Sequence, residues 1–312
     1  MIRVTYGLVA VTLLILTLIF FAPPEAAGNL GLCLPSPNQW QMPHFWEWLI
    51  NSLLIFFSAA LLTAANKRLN FISEADPLMG IAMLVLLCCN CLTTASLTTS
   101  TLLLAANSLA LFILLSTYEQ RNASREFFLI ATLPAIGAMV QYSFLIMVPV
   151  YIAGGLMMKS FRLRELIAFL FGLAAPYWIA IGLGWVSPCS FSLPGKLTVF
   201  NSEAVNADIM LTLLAAGAMI LAGVILALYN GLRLFSRNSQ LRCMHSAFNF
   251  LGLACVVAVI VDFDNFAAYF GSLALWVAIE FATMLTIYNV RHPRFWLLGL
   301  LALFLPLYIL AL

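Results

Sequence analysis

Long apolar stretches, interrupted by short clusters of Lys and Arg, most constrain how this chain can fold. Of its 312 residues, 64% are hydrophobic and 8% are charged, and the mean hydropathy is +1.05. Because so few polar residues cannot cover a soluble globule of this size, lipid must solvate the chain. A backbone in lipid must satisfy its own hydrogen bonds, which favours helices. We therefore predict an all-α, polytopic integral membrane protein with one domain over residues 1–312.

Eleven apolar stretches have a length that predicts spanning helices, which need about 20 mostly apolar residues. They lie at 5–22, 45–65, 78–95, 97–117, 127–140, 141–158, 166–185, 207–230, 246–261, 265–288 and 294–311. The pair at 127–140 and 141–158 is short. It fits either a hairpin of two short helices or a kinked helix followed by a re-entrant element.

The basic residues alternate between the gaps that separate these stretches. Of the 14 Lys and Arg residues, thirteen fall in every second gap, and the intervening gaps contain only Lys196. Because cytoplasmic loops retain Lys and Arg, the pattern predicts an amino terminus inside and a carboxyl terminus outside. The clusters at 121–125 and 159–164 then lie on the same side, which favours the hairpin between them.

The stretch from Arg121 to Trp185 resembles a known family. Arg125-Glu126, the apolar hairpin to residue 158 and the segment FRLRELIAFLFGLAAPYWI at 161–179 carry the resemblance. They resemble a family of polytopic membrane proteins of unknown function from Bacteroidetes, DUF6427. The resemblance implies no activity. It implies a multi-pass protein of the bacterial inner (cytoplasmic) membrane, with its outward loops and carboxyl terminus in the periplasm.

Two cysteines lie in the long outward loops at 23–44 and 186–206. They are Cys33 and Cys189, and the chain has seven cysteines in all. In an oxidising periplasm this pair can form a disulfide that joins the two loops, and two free thiols are the alternative. Cys88-Cys89-Asn90-Cys91 has no His or acidic residue at ligand spacing, so we predict no metal site. We predict no cofactor either.

Five ionisable residues near or within the predicted helices are candidates for ligand binding or proton coupling. Glu280 lies well inside its helix, where a carboxylate is costly unless paired, protonated or hydrated, and a neutral hydrogen-bonded side chain is equally compatible. His44 and Glu47 share a face at the outer end of one helix, where interfacial hydrogen bonding is the alternative. Asp262 and Asp264 fit either a cation site or helix capping.

Three functions remain open, and the sequence does not decide whether the protein is an enzyme. The favoured one is a membrane subunit or scaffold in cell-envelope assembly or secretion. One alternative is a polyprenyl-phosphate-dependent glycan transferase at the periplasmic face, with Glu25 as general base and Lys196 near the donor phosphate. The other is a proton-coupled transporter of small molecules, using Glu280 or the pair of His44 and Glu47.

The predicted partners follow from the same features. The lipid bilayer is the first, and another membrane protein or a lipid-linked substrate is the second. We predict no nucleic-acid partner, because the basic residues flank membrane segments and do not form a patch interleaved with aromatic residues.

Overall fold

The computed structural model describes residues 2–20, 32–37, 40, 42–69, 78–88, 90–187, 207–234, 239–287 and 293–311. The α-helices are α1 (Ile2–Phe20), α2 (His44–Leu69), α3 (Leu78–Cys88), α4 (Cys91–Ala95), α5 (Thr99–Ser116), α6 (Ser124–Val140), α7 (Val148–Met157), α8 (Leu163–Gly182), α9 (Ala207–Leu234), α10 (Ser239–Val261), α11 (Phe270–Ile287) and α12 (Pro293–Ala311). Two 3-10 helices, Tyr142–Met147 and Phe263–Tyr269, precede α7 and α11. These ranges contain no strand, which confirms the all-helical fold class.

Six helices in the described ranges are long and apolar enough to cross a membrane. They span His44–Leu69, Thr99–Ser116, Leu163–Gly182, Met210–Arg233, Ser239–Val261 and Phe263–Ile287. Shorter apolar helices occur at Tyr6–Ile19, Leu78–Cys88, Tyr142–Met157 and Phe295–Leu310. The chain therefore has the composition and helix lengths of a membrane protein, and the count of eleven crossings stays a prediction.

The stretch 78–95 is interrupted, although its hydropathy predicts one continuous helix. The interruption separates α3 from α4. The hydroxyl of Thr93 donates to the carbonyl oxygens of Leu87 at 3.3 Å and of Asn90 at 3.0 Å. Short polar side chains that bond nearby carbonyl groups compete with helical backbone bonds. The polar residues at 90–94 therefore accompany a break that average hydropathy does not reveal.

The stretch 127–158 forms two short helical segments that return the chain to its starting level. The break lies at Gln141, whose backbone is extended with φ −156° and ψ 131°. After the second segment, the carbonyl oxygen of Met158 accepts a hydrogen bond from the backbone N–H of Glu119 at 3.0 Å. Since Glu119 lies shortly before the start of α6, the geometry is that of a hairpin.

Side-chain contacts bring three basic segments to one end of the helix bundle. Lys159 Nζ donates to Glu119 Oε1 at 3.2 Å, and the hydroxyl oxygens of Tyr118 and Ser239 are 2.8 Å apart. We call this the basic end and define it as residues 117–123, 158–162 and 239–242. At the opposite end, the backbone N–H of Leu34 donates to the carbonyl oxygen of Met139 at 2.9 Å.

Helix α11 occupies the centre of the bundle, whereas α8 lies at its periphery. Fifteen of the 18 residues of α11 are buried, and the helix packs against α3, α5, α9 and α10. Helix α8 packs mainly against α6, and the side chain of Trp178 is 82% exposed. Ser272, Trp276 and Glu280 on α11 are therefore enclosed by protein, while the apolar outer face of α8 suits contact with lipid.

The contact between α6 and α8 depends on the glycine at position 172. A Cβ added to Gly172 would lie 2.4 Å from the backbone carbonyl oxygen of Phe128 and 2.9 Å from Cβ of Ala131. Since backbone cannot move aside cheaply, we expect Gly172→Ala to lower the free energy of unfolding by about 1–3 kcal/mol. The thermal unfolding midpoint of the purified protein in detergent measures this effect.

The matched control is Gly217→Ala on α9, where an added Cβ has no atom within 4 Å. Alanine favours helix by about 1 kcal/mol over glycine, so the control keeps or raises the midpoint. Equal losses in the two variants would contradict the close packing of α6 on α8.

Candidate functional site

Four residues with polar groups lie on one face of α11 and its immediate amino-terminal extension. Successive members are three, four and four residues apart, and on a helix this spacing keeps them within an arc of about 80°. We call this row the polar stripe, and it consists of Tyr269, Ser272, Trp276 and Glu280. Each member has a polar contact from another part of the fold.

Glu280 lies toward the basic end and is 0% exposed. Asn230 on α9 donates its Nδ2 group to the carboxylate Oε2 at 2.8 Å and to the backbone carbonyl oxygen of Glu280 at 2.8 Å. Nδ1 of His245 on α10 lies 3.3 Å from Oε1. This separation is that of an ion pair, although Oε1 has no partner with hydrogen-bond geometry. Three helices thus converge on one buried acid.

The pair of Glu280 and His245 is suited to hold and pass a proton. In one arrangement a carboxylic acid faces a neutral imidazole, and in the other a carboxylate faces an imidazolium. Both arrangements contain the same number of protons, so transfer leaves the net charge of the buried pair unchanged. Because low-polarity surroundings penalise net charge most, this transfer is cheaper than ionising Glu280 alone.

His245 lies between Glu280 and a cavity at the basic end. The His245 side chain is 9% exposed, and its Nε2 has no hydrogen-bond partner among the described residues. The cavity has a volume of about 490 Å³. Its polar lining consists of Lys159, Ser239, Arg242, His245, Ser246 and Asn249. Lys159 and Arg242 are exposed, so the cavity opens at the basic end.

The cavity carries positive charge from two separate elements. Lys159 follows α7, and Arg242 lies on α10. The hydrogen bond to Glu119 raises the pKa of Lys159, so the ammonium group stays charged. The cavity therefore combines two cationic groups with an imidazole that contacts the buried acid.

The middle of the polar stripe is hydrogen bonded to α5 and α10, and its partner on α5 is in turn bonded to α7. Asn107 on α5 donates Nδ2 to the hydroxyl of Ser272 at 2.7 Å. The hydroxyl of Tyr151 on α7 donates to Oδ1 of Asn107. Nε1 of Trp276 donates to Oδ1 of Asn249 at 3.4 Å. Since Asn249 also lines the cavity, it connects the stripe to the cavity.

Two glycines make room for the ring of Trp276. A Cβ added to Gly252 on α10 would lie 2.2 Å from the ring, and one added to Gly223 on α9 would lie 2.4 Å from it. The ring therefore fills a gap between α9 and α10 that these glycines leave open.

Asp262 lies just beyond the stripe at the opposite end of the bundle and is 1% exposed. Its Oδ1 accepts a hydrogen bond from the hydroxyl of Tyr142 at 2.7 Å, and its Oδ2 accepts one from Tyr269 at 2.7 Å. Asn265 Nδ2 donates to Oδ1 at 2.9 Å. Asp262 occupies the position before the 3-10 helix, but its side chain bonds none of the first N–H groups. Asp264 is exposed.

The other sequence candidates lie in the segment 32–37 and in α2, or outside the described residues. Glu25, Lys196 and Cys189 lie outside the described residues, so the proposed transferase residues and the disulfide stay predictions. Cys33 is half-buried, with its Sγ 3.9 Å from the carbonyl oxygen of Met139, and burial raises the pKa of its thiol.

His44 and Glu47 lie in the first turn of α2. Within the part of the chain that the structure describes, neither ring nitrogen of His44 has a hydrogen-bond partner. Asn51, one turn further along, donates to the carbonyl oxygen of Thr93 at 2.8 Å. Among the described residues, no hydrogen bond of the His44 ring therefore joins it to Glu47 or Asn51.

Sequence reasoning missed His245 and Asn230. The predicted helix began at residue 246, whereas α10 begins at Ser239 and includes His245. The sequence does contain a signal for the longer helix. It is a polar row, spaced by three or four residues, at Ser239, Arg242, Ser246 and Asn249. That spacing predicts a polar helix face, and it would have extended the helix to include the imidazole.

No family model, curated protein or solved structure matches the chain. The resemblance of residues 121–185 to a family therefore stays a prediction.

Proposed function

We propose that the protein is a proton-coupled transporter of small molecules in the bacterial inner membrane. In this proposal Glu280 and His245 carry the proton. The observation that supports it is the polar stripe along the central helix, which ends beside a basic cavity. Buried acids in membrane proteins commonly mark proton or solute pathways.

The length of the stripe supports a role in crossing the membrane. Tyr269 and Glu280 are 11 residues apart, which corresponds to about 17 Å along a helix. A hydrocarbon core is about 30 Å thick, so the stripe covers roughly half of it. Asp262 extends the row of polar groups at one end, and the cavity extends it at the other.

The test is solute-driven charge movement in liposomes that contain the purified protein. The liposomes are adsorbed on a solid-supported membrane, and the solution is exchanged rapidly for one that contains an amino acid, a carboxylate, a phosphate or a sugar. The current that follows each exchange is recorded. We expect at least one solute class to give a transient current that disappears in Glu280→Gln. Currents that are the same in wild type and Glu280→Gln for every solute would contradict proton coupling through this residue.

A membrane subunit in envelope assembly or secretion is the second candidate. The exposed apolar flank of α8 favours it, with Leu170 55% and Phe171 68% exposed. Lipid tails are as apolar as the side chains of a partner protein, so lipid alone can also cover this flank. Purification with native lipids and mass spectrometry separates the two, because a subunit retains a stoichiometric protein partner and a stand-alone transporter does not.

The proposal includes eleven crossings, with the amino terminus in the cytoplasm and the carboxyl terminus in the periplasm. The clustering of basic segments at one end of the bundle supports it. We expect topology reporters fused after Asp264 or at the carboxyl terminus to give a periplasmic signal. A cytoplasmic signal at either position would contradict the eleven-helix topology.

A further inference from the structure

We infer that the cavity at the basic end binds a phosphate group. The phosphate belongs either to a small phosphorylated solute or to the headgroup of an anionic lipid. Its identity as the transported substrate rests on the proposed function, whereas binding itself does not.

The charges of the cavity select an anion. Lys159, in the turn after α7, and Arg242, on α10, supply two cationic groups, and none of the described residues that line the cavity is acidic. Arg presents several N–H donors in a fixed fork, which suits the oxygens of a phosphate. Ser246 and Asn249 add a hydroxyl and an amide on the same face of α10 as Arg242.

The existing partner of Lys159 does not prevent this binding. Lys159 Nζ lies 3.2 Å from Glu119 Oε1, with side-chain exposures of 57% and 54%. Exposed ion pairs of this kind are weak, because water screens both charges. A phosphate in the cavity competes with Glu119 for the ammonium group, while Arg242 lies on a different helix.

His245 provides an independent indication that the cavity binds a ligand. Its side chain is about nine-tenths buried and lines the cavity, and its Nε2 has no partner among the described residues. Buried polar atoms in native proteins almost always have a partner, whether protein, water or ligand. Nε2 has less than 1 Å² of accessible surface, so a phosphate oxygen in the cavity accepts a hydrogen bond from this N–H after a small rotation of the imidazole.

The size of the cavity favours a phosphorylated molecule over an inorganic ion alone. Its volume of about 490 Å³ lies within the range of small-molecule sites, about 300–1,000 Å³. The site also lies at the end of the bundle, where basic side chains meet lipid headgroups. A phosphorylated solute and an anionic lipid headgroup both present a phosphate group to this cavity.

Titration calorimetry of the purified full-length protein in a neutral detergent, with inorganic phosphate as the probe, tests this inference. We expect Arg242→Gln to weaken binding about tenfold or more, because it removes hydrogen bonds to a charged group. Lys159→Gln weakens binding as well. The matched control is Arg164→Gln, which removes the same charge from an exposed residue that donates to Asn122 outside the cavity.

A second arm separates the two sources of phosphate. The protein is titrated with inorganic phosphate in nanodiscs of phosphatidylcholine and in nanodiscs that contain phosphatidylglycerol. If a headgroup occupies the cavity, phosphatidylglycerol suppresses the binding that phosphatidylcholine permits. If a solute occupies it, the two nanodiscs give the same affinity. Both results support a phosphate site.

Two results would overturn the inference. They are the absence of phosphate binding in detergent and in phosphatidylcholine nanodiscs, and equal affinities for Arg242→Gln and Arg164→Gln. Failure of this site is distinguishable from failure of the proposed function. Arg242-dependent binding without proton-coupled currents removes only the transporter, and Glu280-dependent currents without phosphate binding remove only the site.

Discussion

Glu280→Gln is expected to reduce solute-driven proton transport about 100-fold or more, the usual effect of removing a positioned proton carrier. Gln has nearly the same shape as Glu and can still accept the hydrogen bond from Asn230 Nδ2. It cannot exchange a proton with His245. The variant therefore keeps the packing of α9 and α11 while it removes the group that exchanges a proton.

Glu126→Gln is the control, because it makes the same substitution at a glutamate outside the site. Glu126 lies in the first turn of α6, and Glu280 is enclosed by the bundle. We expect Glu126→Gln to keep wild-type transport, and both variants to keep the wild-type thermal midpoint within a few degrees. Full transport in Glu280→Gln would assign Glu280 a structural role only.

Asp262→Ala is expected to destabilise the protein by about 3 kcal/mol or more, because each hydrogen bond to a charged group contributes about 1.5–3 kcal/mol. The hydroxyls of Tyr142 and Tyr269 and the amide of Asn265 all lose their carboxylate acceptor. The two tyrosines are buried, so water does not readily replace the carboxylate as their acceptor.

Asp264→Ala provides a control two residues away. Asp264 is exposed, so its removal is expected to change the free energy of unfolding by less than about 0.5 kcal/mol. Unfolding in detergent, followed by helical circular dichroism against increasing sodium dodecyl sulfate, measures both variants. Similar midpoints for the two would show that the hydrogen bonds of Asp262 contribute little.

Hydropathy predicted the helical membrane class because it depends on composition over about 20 residues. The prediction held for segments such as 207–230, where α9 spans Ala207–Leu234. It failed at 78–95, where polar side chains at 90–94 bond nearby carbonyl groups. The average over a window does not register a break that accompanies the hydrogen bonds of a few hydroxyl groups.

The candidate site was predictable only in part. Glu280 is a lone acid in an apolar stretch, so its sequence context identifies it. Its partners Asn230 and His245 are 50 and 35 residues away in the sequence, and only helix packing brings them together. Likewise Tyr142 reaches Asp262 across 120 residues. Long-range pairs of this kind leave no local pattern.

Proton movement inside liposomes tests the central claim most directly. Proteoliposomes are loaded with a pH-sensitive dye. A concentration gradient is then imposed across their membrane, using the solute that gives the largest current among those tested. A proton-coupled transporter produces a solute-dependent change in internal pH with wild-type protein, and none with Glu280→Gln. A change of equal size in both, or solute uptake without any change in internal pH, would contradict the claim that Glu280 and His245 couple a proton to transport.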